Sequence, residues 1–251
     1  MRICAVSYLN TRPFLFGLEQ IFQPGDMEIE TRVPSACATA FAREEADLAL
    51  VPVATLPELK YDGILPNWCI GADGQVDSVF ICAQEEIHQI HTLVQDQHSR
   101  TSNLLSAVLL QNHWKNKARI IPARDGAWEN PEAGTAYVII GDKAVQARKS
   151  FRYVYDLAAE WKAYSGLPFV FAVWVYKGLS QDQINRIDRA FGLGMQALRQ
   201  VADLSGPEFG MTPEQAYHYY TQSLSYTLDS AKQEAIQRYL TEGARIALPV
   251  L

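Results

Sequence analysis

The thirteen residues MRICAVSYLNTRP open with a four-residue apolar run, Ile3-Cys4-Ala5-Val6, that stops at Ser7, Tyr8, Asn10, Thr11 and Arg12 ahead of Pro13. So short and uniform an apolar run, closed by polar residues and proline, is the pattern of a strand buried on both faces, as in a parallel sheet covered by helices. Ligands of open α/β sheets sit just beyond the carboxyl ends of such strands. Residues 7–12 are therefore the first candidate site. Residues 48–53 repeat the apolar pattern, and Pro34 with Ser35 opens a helix predicted over 36–45, which together make a βαβ unit.

Further strands are predicted at 76–83, 92–94, 119–122, 137–140 and 169–176. A helix over 101–114 carries Leu104, Leu105, Val108 and Leu109 on one face. Residues 153–165 read as a short helix ended by Gly166. Ser180-x-x-Gln183 and Thr212-x-x-Gln215 have the form of capping boxes, in which side chains satisfy orphaned amides at a helix start, so the chain beyond 177 reads as helical scaffold. The expected architecture is α/β, with residues 1–85 and 172–251 in a larger lobe and 86–171 in a smaller one. A central cleft would divide them, with hinges near 84–90 and 166–172.

With 251 residues, 48% of them hydrophobic, the chain can bury a large core. The net charge of −6, with Lys and Arg scattered, argues against a nucleic-acid or anionic-membrane footprint and leaves a small molecule as the expected partner. Cys4, Cys37, Cys69 and Cys82 are widely spaced, with no CxxC or Cys/His cluster, so they read as buried small hydrophobes of a reducing compartment and no metal site is expected. A secretory leader needs an apolar region of about 7–15 residues, and no stretch approaches the roughly 20 that span a bilayer. A cytoplasmic protein is expected.

Four segments in order carry a resemblance: Ser7-Tyr8-Leu9-Asn10 with Pro13; residues 47–53, DLALVPV; Ser99-Arg100-Thr101-Ser102 leading into a leucine-rich helix; and residues 166–174, GLPFVFAVW. Residues 73–79 and 140–144 fall between them in the matching order. Over about residues 1–177 the chain resembles the chorismate dehydratase family of the futalosine route to menaquinone. The resemblance implies a type II periplasmic-binding-protein-like fold, two α/β lobes with the substrate between them. It implies a carbon–oxygen lyase that converts chorismate to 3-[(1-carboxyvinyl)oxy]benzoate and water without a metal or redox cofactor.

On that resemblance Asn10 and Ser78 are the expected catalytic residues, Asn10 as an amide donor to the ether oxygen or leaving hydroxyl. The other reading of Asn10 is a turn residue bonded to its own backbone, and of Ser78 a satisfied buried hydroxyl. Ser7 and Tyr8 are expected to line the same wall, Tyr8 alternatively as a packed aromatic. Ser99, Thr101 and Ser102 would hold a carboxylate at a helix start, although Ser99 or Thr101 capping that helix explains the residue types equally well. Gly141 would let backbone approach the ligand, whereas Asp142 reads as a helix cap. Arg100 reads as a surface residue, Arg12 as pairing with an acid of its own lobe, and Phe169, Phe171 and Trp174 as core. The matched segments supply no general base, which points to a substrate carboxylate as the proton acceptor. His88, His91, His98 and His113 have no metal-ligand company.

Two other classes fit parts of the pattern. A non-catalytic receptor of the same fold would normally carry an export signal. The sibling enzyme that releases dihydroxynaphthoate is expected to use a small-lobe histidine, and residues 114–217 contain no His. A regulator sensing an aromatic precursor is a third possibility.

Overall fold

The computed structural model describes residues 1–122 and 126–248. Its strands are β1 (Arg2–Val6), β2 (Glu28–Arg32), β3 (Leu48–Pro52), β4 (Gly63–Ala72), β5 (Val79–Ala83), β6 (Thr92–Val94), β7 (Arg119–Ile121), β8 (Thr135–Ile140), β9 (Tyr153–Asp156), β10 (Phe169–Tyr176) and β11 (Ser225–Thr227). Its α-helices are α1 (Arg12–Ile21), α2 (Pro34–Ala42), α3 (Arg100–Val108), α4 (Asp142–Ala147), α5 (Leu157–Ser165), α6 (Gln181–Gln196), α7 (Leu198–Ser205), α8 (Pro213–His218) and α9 (Ser230–Gly243). The chain forms two compact units: Met1–Gly71 with Val170–Asp229, and Ala72–Phe169 with the chain from Ser230 onward.

The first unit is built on a six-stranded sheet in the order β11-β4-β10-β3-β1-β2. β1 is parallel to both β2 and β3. The uniform apolar character of residues 3–6 and 48–52 follows from this placement, since both runs are buried along their length. Helices cover the sheet through an aromatic cluster: Phe14 of α1 lies 4.5 Å from Phe191 of α6 and 5.6 Å from Trp174 of β10, ring centre to ring centre. α1 crosses α6 at two glycines, Gly17 and Gly194, where the backbones meet with no room for a side chain: a Cβ on Gly194 would stand 1.9 Å from the Pro13 carbonyl oxygen.

The second unit holds a five-stranded sheet in the order β7-β6-β8-β5-β9. β6 is parallel to β7 and β8, and β5 is antiparallel to β8 and β9. One core cluster gathers Phe80, Cys82, Tyr137, Ile139 and Phe151. Another stacks Trp161 of α5 with Phe169 at 5.5 Å and Tyr239 of α9 at 6.2 Å.

The observed boundaries differ from the expected 85/86 and 171/172. β5 pairs on both sides within the second sheet, so residues 72–85 belong to the second unit. α9 returns there as well, with the Tyr239 hydroxyl donating to the Thr101 carbonyl at 2.9 Å. The predicted helix over 153–165 is two elements: residues 153–156 pair with β5 as an edge strand, and Asp156 then caps α5 by accepting from the Ala158 and Ala159 amides. The helix predicted over 101–114 ends at Val108 and continues as a wider π turn over Leu109–His113. Both expected capping boxes form, at Ser180 and Thr212, while α1, β2, β4 and β11 lack strong local signals. Among the described residues no helix is long and apolar enough to cross a membrane.

Candidate functional site

In the first unit the polar cluster lies where β1 and β3 both end. The Ser7 amide donates to the Arg32 carbonyl at 3.0 Å, which continues the β1–β2 ladder by one residue. A tight 3-10 turn over Leu9–Thr11 then leads into α1, whose start Pro13 favours because its missing N–H falls among the helix's orphan donors. Half-buried Asn10 sits on this turn. Its Oδ1 accepts from the Thr11 hydroxyl at 3.2 Å and its backbone carbonyl from the Tyr226 hydroxyl at 3.0 Å, while the neighbouring Leu9 carbonyl accepts from Tyr220 at 3.2 Å. The Asn10 Nδ2 protons meet no acceptor among the described residues, which leaves a preorganised donor beyond the carboxyl end of β1. Ser7 and Tyr8 precede it on the same segment, both half-buried.

In the second unit the sheet register gathers the predicted residues at one edge. β6 and β8 run parallel and end there, and the antiparallel β5 begins there, with Val79 opposite Ile140. Ser78 and Gly141 flank that pair and are bonded directly, the Gly141 amide donating to the Ser78 carbonyl at 2.8 Å. Gly141 has φ 73° and ψ −161°, a conformation essentially confined to glycine, and stands at the N-cap position of α4, so Asp142 is the first helical residue rather than the cap. Ser78 precedes β5, which begins at Val79 rather than at the expected residue 76. It follows Asp77, which adopts the left-handed conformation at φ 60°.

Buried Asp156 holds that strained turn. One carboxylate oxygen accepts from the Val76 and Asp77 amides at 3.0 and 2.8 Å, the other caps α5. Burial pushes its carboxyl above the ordinary value, against the pull of those N–H groups. The same edge carries the loop from β6 to α3. Ser99 caps α3, accepting from the Ser102 amide at 3.1 Å and donating to the Ser102 hydroxyl at 2.8 Å, so its side chain is engaged in the capping reading. Thr101 and Ser102 are both buried in the first turn. Asn103 closes the loop through two bonds of 2.8 Å to the Asp96 backbone, and Lys143 of α4 reaches the buried Asp96 carboxylate at 3.0 Å.

Sequence reasoning missed several of these groups. Asp156, Tyr220 and Tyr226 act through backbone groups far away in sequence, for which no local motif exists. Gln95 is 3% exposed and neither its amide nitrogen nor its oxygen has a partner among the described residues; its position directly after the predicted strand 92–94 was the available signal. Arg12 pairs with Glu208 of its own unit at 2.9 Å, Arg100 is exposed, and Phe169 and Trp174 are core residues. His113 meets Glu160 at 3.2 Å, and His88 lies beside Glu86 on the surface. Among the described residues no group of three His, Cys, Asp or Glu side chains is arranged to hold a metal ion.

The family model described as menaquinone biosynthesis matches residues 1–245. A chorismate dehydratase of Thermus thermophilus is 28% identical over 179 residues, a match that covers 62% of this chain and 65% of that protein, just under two thirds of its length. Among solved structures, a protein of Archaeoglobus fulgidus superimposes with a TM-score of 0.72 at 13% identity, covering 97% of this chain and 96% of that one. A Candida albicans protein described as having the generic periplasmic binding protein fold gives 0.62 at 10% identity, covering 100% of this chain and 92% of that one. At such identities the likeness establishes the fold: mixed α/β and periplasmic-binding-protein-like.

Proposed function

The chain belongs to the menaquinone biosynthesis family, and on that premise we propose that it is a chorismate dehydratase, a lyase that eliminates water from chorismate to give 3-[(1-carboxyvinyl)oxy]benzoate. The observation that carries the reading is Asn10, held through its backbone carbonyl and Oδ1 while its Nδ2 protons meet no acceptor among the described residues, at the carboxyl end of β1. Such a donor suits a hydroxyl or ether oxygen and repels neither carboxylate of a dianionic substrate.

The elimination breaks the C3–H and C4–O bonds of the ring. The C–H electron pair becomes the C3–C4 double bond, the C4 oxygen leaves, and the ring becomes aromatic, which supplies the thermodynamic drive. The protein's task is to orient the dianion and meet charge as it develops, work that fixed hydrogen-bond donors do well. Asn10 donates to the leaving hydroxyl or the ether oxygen. Ser78, with its strained turn tied down by Asp156, carries a second uncharged hydroxyl, which without substrate donates to the Val76 carbonyl at 3.4 Å. Thr101 and Ser102, with Ser99 holding the helix start in shape, place the amides and dipole of α3 toward a carboxylate, and Gly141 presents backbone where a side chain would intrude. Ser7 and Tyr8 complete the Asn10 wall.

None of these groups is a base. The acceptor of the C3 proton is then a carboxylate of the substrate itself, the one on the enolpyruvyl arm, and the departing C4 oxygen takes up that proton and leaves as water, so that the product keeps both carboxylates ionised. We place the reaction in the cytoplasm, with chorismate as the small-molecule partner.

Incubating the purified chain with chorismate and following the enolpyruvyl benzoate by mass spectrometry tests the proposal. Accumulation of that product with loss of one water supports it. Saturable binding without turnover would replace it with a receptor function, and turnover only of a cyclic futalosine derivative with the sibling activity.

A further inference from the structure

We propose that Tyr226, assisted by Tyr220, is a positioning residue for Asn10, an inference that rests on the role assigned to Asn10 above. Asn10 lies on a single turn of 3-10 helix joined to β1 on one side and α1 on the other. The turn runs straight into α1, with the Arg12 amide donating to the Leu9 carbonyl, and a carbonyl oxygen keeps a second lone pair with which it can accept from a distant donor. Two tyrosine hydroxyls supply such donors and tie the turn to a remote segment. Tyr220 donates to Leu9 at 3.2 Å and Tyr226 to Asn10 at 3.0 Å, across 211 and 216 residues of sequence.

Both tyrosines come from the stretch that follows α8, and both are buried, at 1% and 7% exposure. Burial also holds the Tyr226 hydroxyl in its protonated form, with Tyr220 and Tyr219 adding to the effect. A phenol has one proton to give, and that of Tyr226 is committed to the Asn10 carbonyl, so it acts through Asn10 rather than on a substrate. The Thr11 hydroxyl completes the arrangement by donating to Asn10 Oδ1 at 3.2 Å. The segment after residue 177, read from sequence as scaffold, thereby sets the aim of the proposed donor.

Tyr226→Phe removes the hydroxyl and keeps the ring packed against Phe14 at 5.4 Å. With chorismate as substrate, kcat is expected to fall about tenfold, short of the hundredfold that a 1 Å misplacement costs, with KM within about twofold of wild type. In an Asn10→Ala background the same change is expected to alter kcat less than about twofold, because the donor it aims is gone. Tyr220→Phe, one residue further from the amide, is expected to show the same pattern more weakly, and Tyr217→Phe, exposed on α8, no effect. Equal losses in both backgrounds, or none in either, would overturn the proposal. A readout independent of turnover is the 15N side-chain resonance of Asn10, identified by its absence in Asn10→Ala. It should shift in ligand-free Tyr226→Phe and stay in place in Tyr217→Phe; an unmoved resonance in Tyr226→Phe refutes the positioning role, whereas a wild-type chain inert toward chorismate with a shifted resonance refutes only the proposed reaction.

Discussion

Gly194→Ala probes the link between packing and chemistry at one atom. The added Cβ would lie 1.9 Å from the Pro13 carbonyl oxygen, where real Cβ contacts essentially never fall below 3.0 Å. α1 or α6 must therefore move by at least 3.0 − 1.9 = 1.1 Å, and the obstacle is backbone, which cannot swing aside as a side chain does. Overpacking of this kind costs about 1–3 kcal/mol. The contact is backbone against backbone, so the upper end applies, and the better helix propensity of Ala returns up to about 1 kcal/mol. A net loss of about 2 kcal/mol lowers Tm by roughly 4–8 °C in a chain of this size. The consequence for activity is larger. Pro13 is three residues from Asn10, and a displacement near 1 Å at the reacting centre is worth on the order of a hundredfold in rate. Gly192→Ala is the matched control on the same helix, since among the described residues its Cβ would meet only Trp68, at 4.0 Å. Scanning calorimetry and the chorismate assay on both variants give the answer: Gly194→Ala should lose rate and stability while Gly192→Ala keeps both. Indistinguishable variants would refute the reasoning.

Asp77→Gly should keep Tm and rate at least at wild-type values, because Gly adopts φ 60° without strain, whereas the β-branched Asp77→Val should lower both by forcing the turn ahead of Ser78 out of shape; equal behaviour of the two would show that this backbone geometry is unimportant. Arg2 hydrogen-bonds Asp47 and holds its carboxyl below the usual value. A depressed native pKa means that the unfolded state binds more protons, so this contribution is present above pH 3.8 and lost as pH falls through the native value; the stability difference between wild type and Asp47→Asn, at most about 1 kcal/mol for so exposed a pair, should shrink in acid urea melts, and a difference that grows there contradicts the assignment. A chorismate analogue without the enolpyruvyl carboxylate should bind and not turn over. Its conversion at a rate near that of chorismate would require a base on the protein.

The parts of the fold written in short-range signals were legible. Residues 3–6 and 48–52 announce buried strands because every side chain in them is apolar, and Ser180 and Thr212 announce helix starts because capping needs only four consecutive residues. Residues 153–156 were misread because Tyr-Val-Tyr-Asp runs straight into a strong helical pattern, and only pairing with β5 makes them a strand. α9 joins the second unit through contacts such as Tyr239 with Thr101 that no local pattern encodes. The candidate residues divide in the same way. Asn10 stands out as polar punctuation after β1, but the adjacency of Ser78 and Gly141 exists only through the register of β5 against β8, and the tyrosines behind Asn10 lie more than two hundred residues away.

The most direct measurement compares kcat for chorismate dehydration in wild type, Asn10→Ala and Ser78→Ala, with circular dichroism and thermal melts confirming that all three fold. Loss of one preorganised donor costs roughly a hundredfold to a thousandfold where it meets charge developing in the transition state, and a loss of that order is expected for Asn10→Ala, with a substantial loss for Ser78→Ala. Folded variants that both turn over chorismate within about twofold of wild type would contradict the account.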